Sequence, residues 1–160
     1  MKKIITVILL AVLTYSCSDA KKNKTKVDTK TDQTQDDTYL KAKIDGVAFY
    51  AAAPHFIYDQ KIISLAGISK NKNEKIRIYI NYTNGPATYA FGKDINNSDN
   101  LIYTNNKVHW LAAKIMGEGT ITITEEGAFL IGKFNFTGVN KEDKSTKQIT
   151  DGEFKVRLDP

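Results

Sequence analysis

The sequence predicts an all-β domain, an antiparallel β-sandwich or small β-barrel of about nine strands, over residues 39–160. Apolar residues in this region recur with a period of two, which is typical of strands that bury one face. All ten glycines of the chain lie there, several of them between the alternating runs. No sustained apolar pattern at helical spacing is accompanied by capping residues, so helices are not expected.

The region opens with a predicted β-hairpin. Apolar and polar residues alternate over Leu40–Ile44 and again over Val47–Ala51. Asp45-Gly46 lies between the two runs, and this dipeptide suits a two-residue turn in which both residues need positive φ. By the same alternation, further strands are predicted at Ile62–Ile68, Ile76–Ile80, Ala87–Phe91, Leu101–Thr104, Val108–Ala113, around Ile121 and Ile123, at Ala128–Thr137 and at Glu153–Leu158.

Two positions within these strands carry more specific expectations. Gly67 interrupts an apolar run and predicts either a bulge or a close contact with another part of the chain. Asn105-Asn106 predicts the turn of a second hairpin, between Leu101–Thr104 and Val108–Ala113.

The first sixteen residues, 1–16, have the composition of an export signal. Lys2 and Lys3 precede a ten-residue run, Ile4 to Leu13, that a single threonine interrupts. This run is too short to span a bilayer, which needs about 20 apolar residues. Cys17 directly follows a serine, and this arrangement resembles the bacterial lipoprotein signal. The resemblance implies that Cys17 is lipidated and becomes the new N-terminus. A conventional signal peptide with an incidental cysteine is the alternative.

Residues 17–38 are predicted to form the lipidated N-terminus and a flexible linker. Five lysines balance five aspartates from Ser18 to Thr38, and most other residues there are polar. Such a segment cannot bury enough apolar surface to offset its ordering entropy. Its fully extended reach is about 70 Å. We therefore expect a spacer that holds a folded domain away from a membrane, with the membrane as a partner through the anchor at Cys17.

The charge of the predicted domain argues against nucleic-acid binding. Without the two lysines of residues 1–16 and the balanced charges of residues 17–38, 16 basic and 13 acidic residues remain, a net charge of +3. The lysine-rich stretch at Ser69–Lys72 lacks the interleaved aromatic residues on which bases stack. No nucleic-acid partner is expected.

Four short motifs carry a family resemblance. They are Ala-x-Ile-Asp-Gly-x-x-Phe at Ala42–Phe49, the alternating Thr-Ile segment at Gly119–Thr124, the Gly-x-Phe-x-Phe type strand at Gly132–Phe136, and Ile-Thr-Asp-Gly-Glu-Phe at Ile149–Phe154. Together they resemble an uncharacterised all-β lipoprotein domain common in Bacteroidota, over roughly residues 39–158. The resemblance implies a fold and a cell-envelope location, and it implies no activity.

The residues that bind metals are few and dispersed. His55 and His109 have no second ligand at a typical spacing, and the single cysteine excludes a thiolate cage. The loop Asp94–Asn100 offers oxygen ligands but lacks the glycine and the bidentate glutamate of a calcium loop. We predict no metal site, no cofactor and no catalytic residue from any of these motifs.

Carboxylates are the remaining route to catalysis. Acid–base chemistry would need Asp45, Asp151 or Glu153 to converge across a cleft, or His109 to lie beside a carboxylate. Turn formation explains the two aspartates equally well. An envelope enzyme or enzyme inhibitor that uses converging carboxylates is therefore an alternative function.

A binding surface is the favoured function, although its residues and ligand are unknown at this point. Tyr79 opposes the apolar face of its strand, and Phe129 and Ile131 oppose the buried parity of theirs. These side chains predict either a half-exposed patch or the lining of a barrel, which would suit a protein, glycan or lipid ligand. Coverage by another strand is the alternative.

The sequence as a whole predicts a lipid-anchored cell-envelope lipoprotein that acts as a binding or interaction module. A structural envelope component is a further alternative. Ser18 after the cysteine favours an outer-membrane location, and the lack of an acidic run after it favours the periplasmic face over the cell surface.

Overall fold

The computed structural model describes residues 38–83, 85–92 and 98–158. Eleven strands make up most of the described chain, and no helix occurs in these ranges. The strands are β1 (Tyr39–Ile44), β2 (Val47–Ala52), β3 (His55–Asp59), β4 (Ile62–Ile68), β5 (Glu74–Asn81), β6 (Ala87–Phe91), β7 (Asn100–Asn105), β8 (Val108–Ala113), β9 (Glu118–Glu125), β10 (Phe129–Val139) and β11 (Thr146–Arg157).

All the strand pairs are antiparallel, and they form a single curled sheet, a half-barrel. The main path runs β2-β1-β11-β10-β8-β7-β5-β4-β3. The sheet forks at β10, because β9 pairs with β10 over Ile131–Thr137 whereas β8 pairs with it at Val139 alone. Strand β6 extends the β9 branch. The all-β prediction is confirmed, and the barrel-like form is a half-barrel.

The core lies on the concave face of the sheet. Alternate residues of each main strand point into it, as the period-two pattern predicted. Its largest fully buried side chains come from six strands, β1, β4, β5, β7, β9 and β11, and from the residue that follows β5. They are Tyr82, Tyr103, Phe154, Leu40, Ile63, Leu65, Ile76, Ile78, Ile80, Leu101, Ile121 and Ile123.

Gly67 marks the point where the sheet folds over itself. A Cβ atom at this position would lie 3.0 Å from the Ala51 Cβ atom and 3.1 Å from the Leu40 Cβ atom. Strand β4 therefore passes very close to the β1–β2 hairpin, and a larger residue would force the two apart. Of the two expectations for Gly67, the close contact is the one observed.

The φ angles at the turns show which hairpins the sequence predicted correctly and which strand it missed. Asp45 and Gly46 have φ values of 47° and 84°, as expected for the first hairpin. The second hairpin turns one residue later than predicted, at Asn106 and Lys107, whose φ values are 46° and 73°. Strand β3 was not predicted, because Gln60-Lys61 forms its turn without any Gly, Asn or Asp to signal it.

Candidate functional site

A groove runs along the outer face of the half-barrel, on the side opposite the core. Its floor comes from β5, β7 and β8, where Arg77 pairs with Ile102 and Ile102 pairs with Leu111. These residues alternate with the buried ones, so their side chains point away from the core. The groove encloses about 440 Å³. Small-molecule sites typically enclose about 300–1,000 Å³.

The groove is rich in positive charge. Lys75, Arg77, Lys107 and Lys141 line it, with Glu142 as the single carboxylate, which gives a net charge of +3 when His109 is neutral. None of these four cations forms an ion pair with another residue that the structure describes. Cations that pair with no described carboxylate attract anions to the cavity beside them.

A second cavity continues the groove along β8. It encloses about 320 Å³ and shares Ile102, Leu111 and Lys141 with the first cavity. Beyond the shared residues, its lining combines apolar side chains with polar ones; they are Ala113, Ile115 and Met116, and Ser98, Asp99, Asn100 and Lys114. The side chain of Ile115 is 76% exposed. The groove therefore changes along its length, from a cationic end near Lys75 to an apolar end near Ile115.

The loop between β10 and β11, residues 140–145, contributes one wall of the groove. The Asn140 amide donates to the Ser145 carbonyl over 2.9 Å, and the Glu142 amide donates to Asn140 Oδ1 over 2.7 Å. The Ser145 amide donates to Asp143 Oδ1 over 2.8 Å. Hydrogen bonds from Ser145 hold the pKa of Asp143 below its usual range. These bonds are made within the loop itself and order the wall.

Aromatic residues hold this wall to the sheet. Trp110 Nε1 donates to Ser145 Oγ over 3.0 Å, and the Trp110 ring stacks on Tyr103 with 5.6 Å between centroids. Tyr103 Oη in turn donates to Glu74 Oε1 over 2.6 Å. Burial, followed by the Glu74 hydrogen bond, raises the pKa of Tyr103 above its ordinary value. The chain of contacts thus runs from β5 through β7 and β8 to the loop.

His109 lies at the cationic end of the groove rather than beside a catalytic carboxylate. Its Nδ1 atom and Thr104 Oγ1 are 2.9 Å apart and share a hydrogen bond. Both residues line the first cavity. The hydroxyl and the imidazole add hydrogen-bonding capacity next to the four cations.

The carboxylates considered for catalysis lie along the β1–β11 ladder, each beside its own lysine. Lys147 Nζ is 2.7 Å from Asp45 Oδ2, Lys43 Nζ is 2.9 Å from Asp151 Oδ2, and Lys41 Nζ is 3.3 Å from Glu153 Oε1. These three carboxylates therefore serve as ion-pair partners on the surface of the domain.

The pKa values of two of these carboxylates are lowered. The Lys147 hydrogen bond, then the Gln148 amide, lowers the pKa of Asp45. A hydrogen bond from Tyr39, and then one from Lys41, lowers the pKa of Glu153. A general acid at neutral pH needs the opposite shift.

The candidate metal ligands do not come together in the part of the chain that the structure describes. No group of three or more His, Cys, Asp or Glu side chains forms there. His55 lines a separate cavity of about 350 Å³ beside Pro54 and Arg157. Asp99 Oδ1 accepts hydrogen bonds from the Asn81 amide and side chain, over 2.8 and 2.6 Å, and so holds the end of β5. Asp94 and Asn96 fall outside the described residues.

The three side chains expected to form a binding surface lie elsewhere on the outer face. Tyr79 is half-buried on β5, and Ile131 is half-buried on β10. Lys155 Nζ and the Arg157 guanidinium lie over the Phe129 ring, 4.5 Å and 5.0 Å from its centroid. None of the three lines the groove, which contains no aromatic ring among its described lining residues other than the His109 imidazole.

Of the groove residues, the sequence singled out only His109, as a candidate for acid–base chemistry, and the cationic residues were not predicted. Lys75 and Arg77 show the alternation of an outward strand face, but such residues usually only contact solvent. Their neighbours in space, Ile102 and Lys141, are remote in sequence. The pairing of β5 with β7 and the position of the loop after β10 bring them together.

The anchor predicted at Cys17 lies outside the described residues, as do the export signal at residues 1–16 and most of the linker at residues 17–38. In the part of the chain for which coordinates are described, no helix is both long and apolar enough to cross a membrane.

Comparison with known proteins gives one result. Searches of curated proteins and of solved structures found no match. A family model described as a domain of unknown function, DUF6252, matches residues 36–156. This match includes every strand of the half-barrel except the last residue of β11. Since it spans well over half of the 160 residues, the chain belongs to the DUF6252 family.

Proposed function

We propose that this protein is a cell-envelope lipoprotein, anchored through an acylated Cys17, whose half-barrel is a binding module. Its binding site is the groove formed by β5, β7, β8 and residues 140–145. The observation that carries the proposal is a set of four cations, none paired with a carboxylate among the described residues, beside Ile102 and Leu111 outside the core.

The anchor is supported by the order of segments in the sequence. A charged start, a short apolar run and Ser16-Cys17 precede a polar segment, and the first strand begins at Tyr39. Two or more acyl chains on Cys17 would give stable attachment, since each buried CH₂ group contributes about 0.8 kcal/mol. The resemblance to a Bacteroidota lipoprotein domain supports the same location. We place the domain at the outer membrane, on its periplasmic face.

The binding role is supported by the construction of the groove. Its cationic residues lie on one strand, β5, and on two connecting segments, so a folded domain presents them together. The wall is ordered by its own hydrogen bonds and by the Trp110–Ser145 contact, so little ordering entropy is lost when a ligand binds. A ligand would gain charge complementarity at one end and apolar burial at the other.

The anchor is tested by labelling cells with an alkyne fatty acid and isolating the protein. Wild-type protein should carry the label and fractionate with the membrane. The Cys17→Ala variant should lose the label and leave the membrane fraction, while Cys17→Ala combined with an unrelated lipoprotein signal should regain both. Unchanged acyl labelling of Cys17→Ala would refute the anchor.

The binding role is tested by placing a photo-crosslinking amino acid at Thr104, inside the groove, and at Asn135 as the matched control. Asn135 is an exposed residue on the outer face of β10. On irradiation in the native envelope, Thr104 should give a discrete adduct that Asn135 does not. Equal adduct patterns at the two positions, or adducts only to a second copy of this chain, would contradict the proposal; the second result would favour a structural role.

A further inference from the structure

We infer that the groove binds a single-chain amphiphile whose head is a phosphate or a carboxylate. The head lies among Lys75, Arg77 and Lys107, and the chain follows Ile102 and Leu111 towards Ile115. This inference rests on the proposed binding role of the groove and adds the chemical class of the ligand.

The head-group end has the donors that an oxyanion needs. Lys75 and Arg77 are two residues apart on β5, so both side chains leave the same face of the sheet. The planar guanidinium of Arg77 can donate two parallel hydrogen bonds to a phosphate or carboxylate. Lys107 approaches from the β7–β8 turn, and Thr104 adds a hydroxyl. An anion here meets a net charge of +3 from the lining residues.

The other end has the surface that a hydrocarbon chain needs. Ile102 and Leu111 line both cavities, and the second cavity adds Ala113, Ile115 and Met116, with polar residues such as Asp99 and Lys114 around them. Ile115 is 76% exposed, so a large apolar side chain is in water at the end of the groove. A bound chain would remove this surface from water, which is favourable in proportion to the area covered.

The composition of the lining disfavours other anions. No Phe, Tyr or Trp occurs among the described residues that line the two cavities. Single-stranded nucleic acids bind largely through stacking on such rings, so this lining disfavours them. A purely polar anion would leave the floor of Ile102 and Leu111 without a partner. An amphiphile uses both halves of the groove.

The test measures binding of dodecyl phosphate, below its micelle concentration, to the full chain carrying Cys17→Ala, so that no covalent acyl group competes. Dodecyl maltoside supplies the same chain without charge, and inorganic phosphate supplies the charge without a chain. We expect dodecyl phosphate to bind at least about tenfold more tightly than either, because only it engages both ends. Raising the salt concentration should weaken it.

Variants locate the head and the chain separately. Arg77→Gln should weaken dodecyl phosphate about tenfold and leave dodecyl maltoside unchanged. Its control is Lys133→Gln, which removes an exposed cation from the outer face of β10, outside the groove. Ile115→Ser should weaken dodecyl phosphate without altering inorganic phosphate. Val47→Ser is its control, since Val47 is a 70% exposed apolar residue at the β1–β2 turn.

Equal affinity for dodecyl phosphate and dodecyl maltoside would overturn the inference, as would equal losses in Arg77→Gln and Lys133→Gln. Binding only to vesicles of anionic phospholipid, with no monomer binding, would also overturn it and indicate a membrane-surface site. If dodecyl phosphate does not bind while a photo-crosslinker at Thr104 still gives an adduct in the envelope, the inferred ligand class is wrong and the proposed binding role stands. If both fail, the binding role is wrong.

Discussion

Trp110 Nε1 and Ser145 Oγ lie 3.0 Å apart, and the hydrogen bond between them joins the wall of the groove to the sheet. Trp110 packs against the core and stacks on Tyr103, whereas Ser145 closes the loop of residues 140–145. The interior of the half-barrel therefore holds in place a loop that lines its outer face. Changes at this contact should affect the groove before they affect the core.

Replacing Trp110 with phenylalanine should loosen this loop. The substitution keeps an aromatic ring against Tyr103 but removes the donor to Ser145, which typically costs about 1 kcal/mol of net stability. We expect a matching loss in urea unfolding and faster amide exchange in residues 141–145. Ser145→Ala removes the same bond, so the double variant should lose little more than either single variant. Fully additive losses would show that the bond contributes nothing.

Replacing Gly132 with alanine should destabilise the domain strongly. A Cβ atom at Gly132 would lie 2.5 Å from Phe154 Cζ and 2.9 Å from the Thr122 carbonyl oxygen, and the second of these belongs to the backbone. Overpacking of this kind costs about 1–3 kcal/mol. Gly127→Ala is the control, because a Cβ atom there meets nothing within 4 Å. Similar midpoints for the two variants in urea would contradict the packing of β10 against β11.

Acid should weaken the β1–β11 ladder. The lowered pKa values of Asp45 and Glu153 mean that the unfolded chain binds more protons than the folded one as the pH falls. Their stabilisation is present above the ordinary values, 3.8 for Asp and 4.5 for Glu, and is lost as the pH falls through the lowered ones. Both pairs are partly exposed, so each contributes less than about 1 kcal/mol.

The variant that checks this is Asp45→Asn. This variant should be less stable than wild type at neutral pH. Its stability should also fall less steeply between about pH 5 and pH 2, because Asp45 no longer takes up a proton when the domain unfolds. Thermal unfolding across this range measures both effects. Asp59→Asn, at an exposed carboxylate on β3 outside the β1–β11 ladder, is the control for removing one negative charge. An unchanged acid dependence in Asp45→Asn would contradict the ion pair with Lys147.

High pH should destabilise the folded domain through the buried side chain of Tyr82. Burial, with a contribution from the nearby Glu126 carboxylate, raises the pKa of Tyr82 to about 12 from an ordinary 10.0. The folded state therefore keeps the proton longer than the unfolded state, and stability falls as the pH rises from 10 towards 12. Tyr82→Phe should remove this part of the alkaline loss, as measured by chemical unfolding at about pH 8 and pH 11.

The same variant tests the surroundings of the hydroxyl. Among the described residues, Tyr82 Oη is buried and makes no hydrogen bond of ordinary geometry, although Glu126 lies near enough to raise its pKa. An unsatisfied buried group costs about 1–3 kcal/mol, so Tyr82→Phe should be more stable than wild type at neutral pH. A destabilised Tyr82→Phe would instead show that the hydroxyl bonds to Glu126 in solution.

The elements that the sequence predicts are those whose signals are local. The β1–β2 hairpin follows from Asp45-Gly46 and the alternation on either side, and β5 follows from the alternation of Ile76, Ile78 and Ile80. Strand β3 has neither a turn signal nor an alternating pattern. Gln60-Lys61 adopts positive φ without a typical turn residue, and apolar and polar residues do not alternate cleanly along the strand.

The groove has no local signal at all. Its residues come from the outward parity of three strands and from a loop, and the outward parity is usually only solvated. Arg77 meets Ile102 because β5 pairs with β7 rather than with β6, which follows it in sequence. Long-range pairing of this kind depends on the whole sheet and cannot be deduced from the alternation of single strands.

Methyl NMR can show whether a ligand binds in the groove on β5, β7 and β8. Ile102 and Ile131 are matched probes, since both are half-buried isoleucines on the outer face, inside and outside the groove respectively. On titration with dodecyl phosphate, the methyl signals of Ile102 and Ile115 should shift and saturate together, while the Ile131 signal stays in place. Shifts of the Ile131 methyl signals without shifts at Ile102 would show that the ligand binds outside the groove.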